Sequence, residues 1–246
     1  MFTGIVSIGM QSFQAGNCKI IYCILFLPQR ATFRTHGLTD AVMNSKISGN
    51  QTIGVFFKMS VKIAAIADIH YKSELPFPSN SPRKYAIADI LLLRAIKRLN
   101  RYIRPDITII LGDLLDDGAC PNAEKDCARL KEILELLDSP VIILPGNHDK
   151  DIEEFYRRFP RPNQITDIKD VRFVTFWDED RPGCQSHRSK SGMEVMSAAR
   201  RGHSGPIVSL QHVPLFPQGK SNCPYHLLNS EEAWGIFKDT GYTLSL

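Results

Sequence analysis

Val141-Ile-Ile-Leu-Pro-Gly-Asn-His-Asp149 is the stretch from which the fold is read. A short β-branched run breaks at Pro145-Gly146 and then delivers an amide, an imidazole and a carboxylate in succession. Three other stretches repeat the design. Ile63-Ala-Ala-Ile-Ala67 ends at Asp68 and His70, Ile107-Thr-Ile-Ile-Leu111 ends at Gly112-Asp113, and Ile207-Val-Ser-Leu210 ends at Gln211-His212. Apolar runs of four or five residues without polar alternation read as strands covered on both faces, which is the habit of a largely parallel α/β sheet. Ligands gather just beyond the carboxyl ends of such strands. If the four runs share a sheet, Asp68, His70, Asp113, Asn147 and His212 meet at one edge.

Helical periodicity fills the gaps between these runs. Tyr85, Ala88, Leu92, Ile96, Leu99 and Ile103 recur every three or four positions, with Ser81-Pro82 as the expected start and Pro105 as the stop. Leu130, Ile133, Leu134 and Leu137 mark a second amphipathic helix before the 141–144 run, so the chain from 61 to 144 reads as two successive β-α-β units. Asp151 to Phe159, Met193 to Arg201 and a segment from Ser230 to Gly241 are further helix candidates, and Tyr242-Thr-Leu-Ser-Leu246 reads as a strand. Val171-Arg-Phe-Val-Thr-Phe-Trp177 alternates more and is expected to be a more exposed strand of a second sheet. Asp116 and Asp117 read as a solvated turn, Asp178-Glu179-Asp180 as surface charge, and His187 as a loop histidine.

Taken singly, each site motif has a plain explanation: Gly-Asp is a common turn or helix cap, and a histidine after a strand is usually a hydrogen-bonded loop residue. In combination they do not. Asp68-Ile-His70, Gly112-Asp113 with Asp116 three further on, Gly146-Asn147-His148-Asp149 and His212 resemble the first four signature blocks of the calcineurin-like metallophosphoesterases, over about Met59 to Leu246. The resemblance implies an α/β layered sandwich of mixed, largely parallel sheet flanked by helices. It also implies hydrolysis of a small-molecule phosphoester, mono- or diester, by a hydroxide bridging two divalent or trivalent metal ions. Asp68 and His70 would bind the first ion, Asn147 and His212 the second, and Asp113 would bridge them. His148 would give a proton to the leaving oxygen, and Asp149 would orient its ring, with first-turn helix charge as the open alternative for Asp149. Carboxylate, amide and imidazole donors without thiolate suit Mn, Fe or Zn.

One block of the resemblance is missing. The Gly-His-x-His that closes such sites is absent, since Gly202-His203-Ser204-Gly205 precedes His212 and has no second histidine. The domain is therefore expected to be incomplete at its C-terminus, with weakened or absent activity as written. An impaired or inactive scaffold of the same fold is the alternative. A dinucleotide-binding fold fails because no Gly-x-Gly-x-x-Gly follows the first run.

Composition sets the remaining limits. The chain has 246 residues, 43% of them hydrophobic, enough for one full core with an appendage. Residues 1–58 carry five basic side chains and one acid, which accounts for the net charge of +4, so residues 59–246 hold 25 of each sign. Residues 1–58 are thus set apart as a leader of low order or unknown role, and 59–246 as the metallophosphoesterase-like domain. A neutral body gives no nucleic-acid patch. Six scattered cysteines without a Cys-x-x-Cys pair favour free thiols and a cytoplasmic setting. The longest apolar stretch, Ile20 to Leu27, is too short to span a bilayer. Oligomeric state is not legible.

Overall fold

The computed structural model describes residues 7–15, 18–30, 58–74, 85–149, 152–183, 185–216, 220 and 223–246. Among them are twelve strands and five α-helices, numbered here in chain order. The first sheet runs β1 (Ser7–Ala15), β2 (Cys18–Arg30), β3 (Lys58–Ile66), β4 (Ile107–Leu111), β5 (Val141–Leu144). Strands β3, β4 and β5 are parallel, with Ile63 beside Ile107 and Ile109 beside Ile142, whereas β1, β2 and β3 pair antiparallel. Within the segment set apart by its charge, β1 and β2 thus extend the sheet beyond β3.

The second sheet has the order β12 (Leu244–Ser245), β10 (Ile207–Leu210), β7 (Val171–Thr175), β6 (Ile165–Ile168). Here β10 lies parallel to both β7 and β12, and β6 turns back antiparallel to β7. A small third sheet has the order β11 (His226–Leu227), β9 (Gln185–His187), β8 (Glu179–Arg181).

Burial shows how the layers stack. Val61, Ile63, Ile107, Ile109, Ile142 and Leu144 from the first sheet share one apolar cluster with Val171, Phe173, Val208 and Leu210 from the second. The opposite face of the first sheet, through Ala64, Ile66, Ile110 and Ile143, packs on α1 (Ala88–Arg98), α2 (Ala123–Leu134) and α3 (Ile152–Arg158). The opposite face of the second sheet, through Val174 and Ile207, packs on α4 (Lys190–Ala198) and α5 (Ser230–Thr240). The result is a four-layer α/β/β/α sandwich. Both faces of each central strand are covered, which is why the four runs carry no polar alternation.

Two expectations change. The four runs do not share one sheet: 63–66, 107–111 and 141–144 do, while 207–210 belongs to the facing sheet. Local pattern cannot tell these apart, because a strand buried on both sides reads the same in either layer. The 171–175 strand does lie in a second sheet, but it is not exposed, since Val171, Phe173 and Val174 are fully buried.

The first helix is longer than its α-helical part. A 3-10 turn at Tyr85–Ile87 leads into α1 and a π turn at Leu99–Ile103 follows, ending where Arg104 turns left-handed (φ 49°) ahead of Pro105. The expected start at Ser81-Pro82 lies outside the described residues. Helix α4 is capped by Ser189, whose hydroxyl accepts from the Gly192 N–H at 3.1 Å, and α5 ends as expected at left-handed Gly241 (φ 74°). No helix among the described residues is long and apolar enough to cross a membrane.

Candidate active site

The ends of β3 and β4 are laced together before any side chain is considered. The backbone N–H groups of Asp68, His70 and Tyr71 donate to the carbonyls of Gly112, Asp113 and Leu114, and the Asp116 N–H returns a bond to the Tyr71 carbonyl. This lacing requires unusual backbone. Asp68 (φ 56°), His70 (φ 46°) and Asp113 (φ 53°) all sit in the left-handed region, which residues with a Cβ enter only when the surroundings hold them there. Gly112 (φ 90°) sits in the same turn. A Cβ at Gly112 would lie 2.7 Å from His212 Nδ1, and one at Gly146 would collide with Asp113 Oδ1. Both glycines are needed for the close approach of the β4, β5 and β10 ends.

Asp113 stands at the centre, with its side chain 6% exposed and its two oxygens facing different histidines. Its Oδ2 is 3.4 Å from His70 Nε2, which is in turn 3.8 Å from Asp68 Oδ1. Its Oδ1 is 3.4 Å from His212 Nε2, which lies 3.2 Å from Asn147 Oδ1. Although His212 arrives from the facing sheet, the five residues read from sequence as metal ligands do come together.

The tautomers can be argued from partners. His212 Nδ1 lies 2.7 Å from the Leu111 carbonyl, an obligate acceptor, so that nitrogen carries the proton and Nε2 is left bare in the neutral ring. Bare Nε2, Asp113 Oδ1 and Asn147 Oδ1 then form a knot of acceptors with no hydrogen between them. Asp113 Oδ1 also accepts from the His148 backbone N–H at 3.0 Å, and a proton on the ring, a turned Asn147 amide or a cation in the gap would each relieve the His212–Asn147 contact. The donor set therefore fits a metal ion. His70, Asp113 and His148 also each offer a ligand atom, all within 4.8 Å of one another.

His148 and Asp149 are placed differently from each other. The His148 ring stacks edge-on against His70 at 4.7 Å, and its Nδ1 donates to the Asp116 carbonyl at 2.6 Å. Asp149, expected beside that ring, is instead fully buried and accepts from three backbone N–H groups: Leu114 at 3.1 Å, Leu115 at 2.8 Å and Gly146 at 2.9 Å. It ties the β4 loop to the β5 loop. Burial pushes its carboxyl up to about 6, with the nearby Asp113 charge adding to the rise and the three hydrogen bonds opposing it.

Sequence reasoning missed two further groups. Asp116, read as part of a solvated turn, has a side chain 16% exposed with Oδ1 3.6 Å from His70 Nδ1, while its carbonyl holds His148. Its spacing three residues past Asp113 was the available signal. Asp178, read as surface charge, is buried in a two-pronged pair with Arg188 (2.8 and 2.9 Å), whose guanidinium also lies 3.8 Å over the Phe176 ring. Nothing in a run of three acids distinguishes the buried one. Glu179 remains exposed as expected, and His187, expected in a loop, ends strand β9.

Comparison with known proteins bears on the family. A curated relative from Arcobacter nitrofigilis, described as a probable glycerophosphodiester phosphodiesterase GpdQ, is 31% identical over 97 residues, covering 39% of this chain and 33% of the relative. The chain thus spans about a third of the length of that relative. Purple acid phosphatase PPD1 from yellow lupin seeds aligns with a TM-score of 0.48 at 10% identity, covering 98% of this chain and 50% of that one, too loosely to carry an argument. The family description "calcineurin-like phosphoesterase" matches residues 61–242, nearly the whole of the layered domain. On that match, and with the site motifs in the order just described, the chain belongs to the calcineurin-like phosphoesterase family.

Proposed function

We propose that this protein is a metal-dependent phosphoester hydrolase with a two-ion site. Asp68, His70 and Asp113 Oδ2 would hold one ion, and Asp113 Oδ1, Asn147 Oδ1 and His212 Nε2 the other. The observation that carries the reading is the position of Asp113, whose two oxygens each face a different set of acceptors across 3.4 Å. When bound, such ions lower the pKa of water into the neutral range and offset charge on the phosphoryl oxygens. The chain's own residues do the rest. The Asp116 carbonyl takes the Nδ1–H of His148 and aims the ring, so the imidazolium, with both nitrogens protonated, would be the form that offers an Nε2–H to a departing alkoxide. Asp149 holds the two loops in register and acts on the site through the backbone.

A second reading concerns His148 alone. Its grouping with His70 and Asp113 within 4.8 Å suits a metal ligand as well as a proton donor. Metal content separates the two roles. If His148 is the donor, His148→Asn keeps its Mn, Fe or Zn by elemental analysis while turnover falls about 10²- to 10⁴-fold. If it is a ligand, metal is lost with activity. The hydrolase reading itself is tested by turnover of p-nitrophenyl phosphate and its bis-ester by the metal-loaded chain, with and without an added C-terminal Gly-His-x-His segment, and by Asp113→Ala. Hydrolysis that rises with the added segment, and a variant without metal or activity, support it; equal, low activity with and without the segment removes it.

A further inference from the structure

Three cavities meet at this site, and Asn147 lines all of them. The central one, about 480 Å³, contains Asp68, His70, Asp113, His148 and His212. A second, about 450 Å³, opens on the His212 side and is walled by Phe176, Trp177, Asp180 and Glu153. A third, also about 450 Å³, opens on the His148 side and is walled by Lys72, Asp116 and Asp117. His212 borders the centre and the Trp177 lobe, whereas His148 borders the centre and the Lys72 lobe.

We propose that the site takes phosphodiesters, with the departing alcohol in the Lys72 lobe and the retained substituent in the Trp177 lobe; this rests on the hydrolase reading above. A phosphoryl group seated centrally has one lobe for each of two ester oxygens, whereas a monoester has only one substituent to place. The direction follows from His148, the proposed proton donor, which faces the Lys72 lobe and not the other. Hydrolysis joins the oxygen of water to phosphorus and breaks the bond to the departing oxygen. That oxygen takes the proton from His148, a water proton passes to solvent, and a monoester and an alcohol are released.

The side chains of the lobes suit these roles. Trp177 is held rigid by its Nε1–H bond to Tyr156 Oη (2.6 Å) and by an edge-on ring contact, giving a fixed apolar wall. The Asp180 carboxylate makes no hydrogen bond or ion pair among the described residues, so the Trp177 lobe disfavours an anionic substituent and accepts a neutral or cationic one. The Lys72 ammonium likewise makes no ion pair among the described residues and is available to a polar leaving group. No sequence motif marks any of the three.

The test compares kcat/KM for bis-p-nitrophenyl phosphate and p-nitrophenyl phosphate on the full chain loaded with Mn²⁺. The wild type is expected to favour the diester at least about tenfold. Trp177→Ala should lower the diester-to-monoester ratio by about tenfold, because only the diester uses that lobe. Lys72→Gln should lower both by similar factors, because both place a leaving group beside Lys72. Asp180→Trp, a plug at an exposed position, should lower the ratio as Trp177→Ala does and serves if that variant fails to fold. A wild type that prefers the monoester, or Trp177→Ala and Asp180→Trp variants that both leave the ratio unchanged, overturns the proposal. If neither ester turns over, with or without an added C-terminal Gly-His-x-His segment, the hydrolase reading fails, and calorimetric titration of the same two esters decides the lobes. Tighter diester binding that Asp180→Trp weakens upholds them, and equal affinities overturn them.

Discussion

Asp149→Ala tests whether the site rests on a buried carboxylate that never touches substrate. Its removal leaves the N–H groups of Leu114, Leu115 and Gly146 without an acceptor in a place water does not reach. Each such donor costs about 1–3 kcal/mol. Part of that loss is offset, because the carboxylate itself resists burial, as its rise to about 6 shows. The net expectation is a destabilisation of roughly 3 kcal/mol at pH 7, read by urea unfolding of metal-free protein. Asp149→Asn should lose less, since its amide oxygen still accepts. The sign with pH is fixed by the same shift. A folded pKa raised above the unfolded value near 3.8 gives stability that is present at low pH and lost as pH rises through about 6. Between pH 7 and pH 5 the wild type should therefore gain on the order of 1 kcal/mol relative to Asp149→Asn. An alanine variant within about 0.5 kcal/mol of wild type, or a wild-type margin that shrinks on acidification, would refute the reasoning.

Three other outcomes follow from the site and its supports. Gly146→Ala should lower metal affinity by at least about tenfold in a metal titration, because its Cβ has no place beside Asp113 Oδ1. Asp178→Ala strands the Arg188 guanidinium, whose side chain is 1% exposed, and should cost about 3–5 kcal/mol in chemical denaturation; pairing it with Arg188→Met should recover most of that. Asp116→Ala keeps its carbonyl on His148 but loses the carboxylate 3.6 Å from His70 Nδ1, so metal affinity should fall more than stability, as elemental analysis and thermal melting would show.

How much of this was legible in sequence depends on range. The strands were readable because β3, β4, β5 and β10 are covered on both faces and so lack alternation, and Gly241 and Pro105 ended their helices as local chemistry dictates. The residues proposed as ligands could be picked out because each follows such a run closely. What sequence could not give was pairing between distant segments. The layer to which Ile207–Leu210 belongs, the partner of Asp178 and the three donors facing Asp149 are all set by contacts between segments ten or more residues apart, apart from Gly146 three residues away. Asp149 shows the difficulty well. A carboxylate next to a histidine in sequence suggests a dyad, yet the His148 ring goes to the Asp116 carbonyl and the Asp149 carboxylate to three backbone N–H groups.

Because Asp113 belongs to one sheet and His212 to the other, the spacing between two candidate ion positions is measured across the apolar seam that joins the layers. Thinning that seam at Phe173 or Leu210 would let one layer slide along the other and change the spacing of the two candidate ion positions like the jaws of a caliper. The greasy middle of the molecule would then be a gauge for its chemistry as well as its ballast.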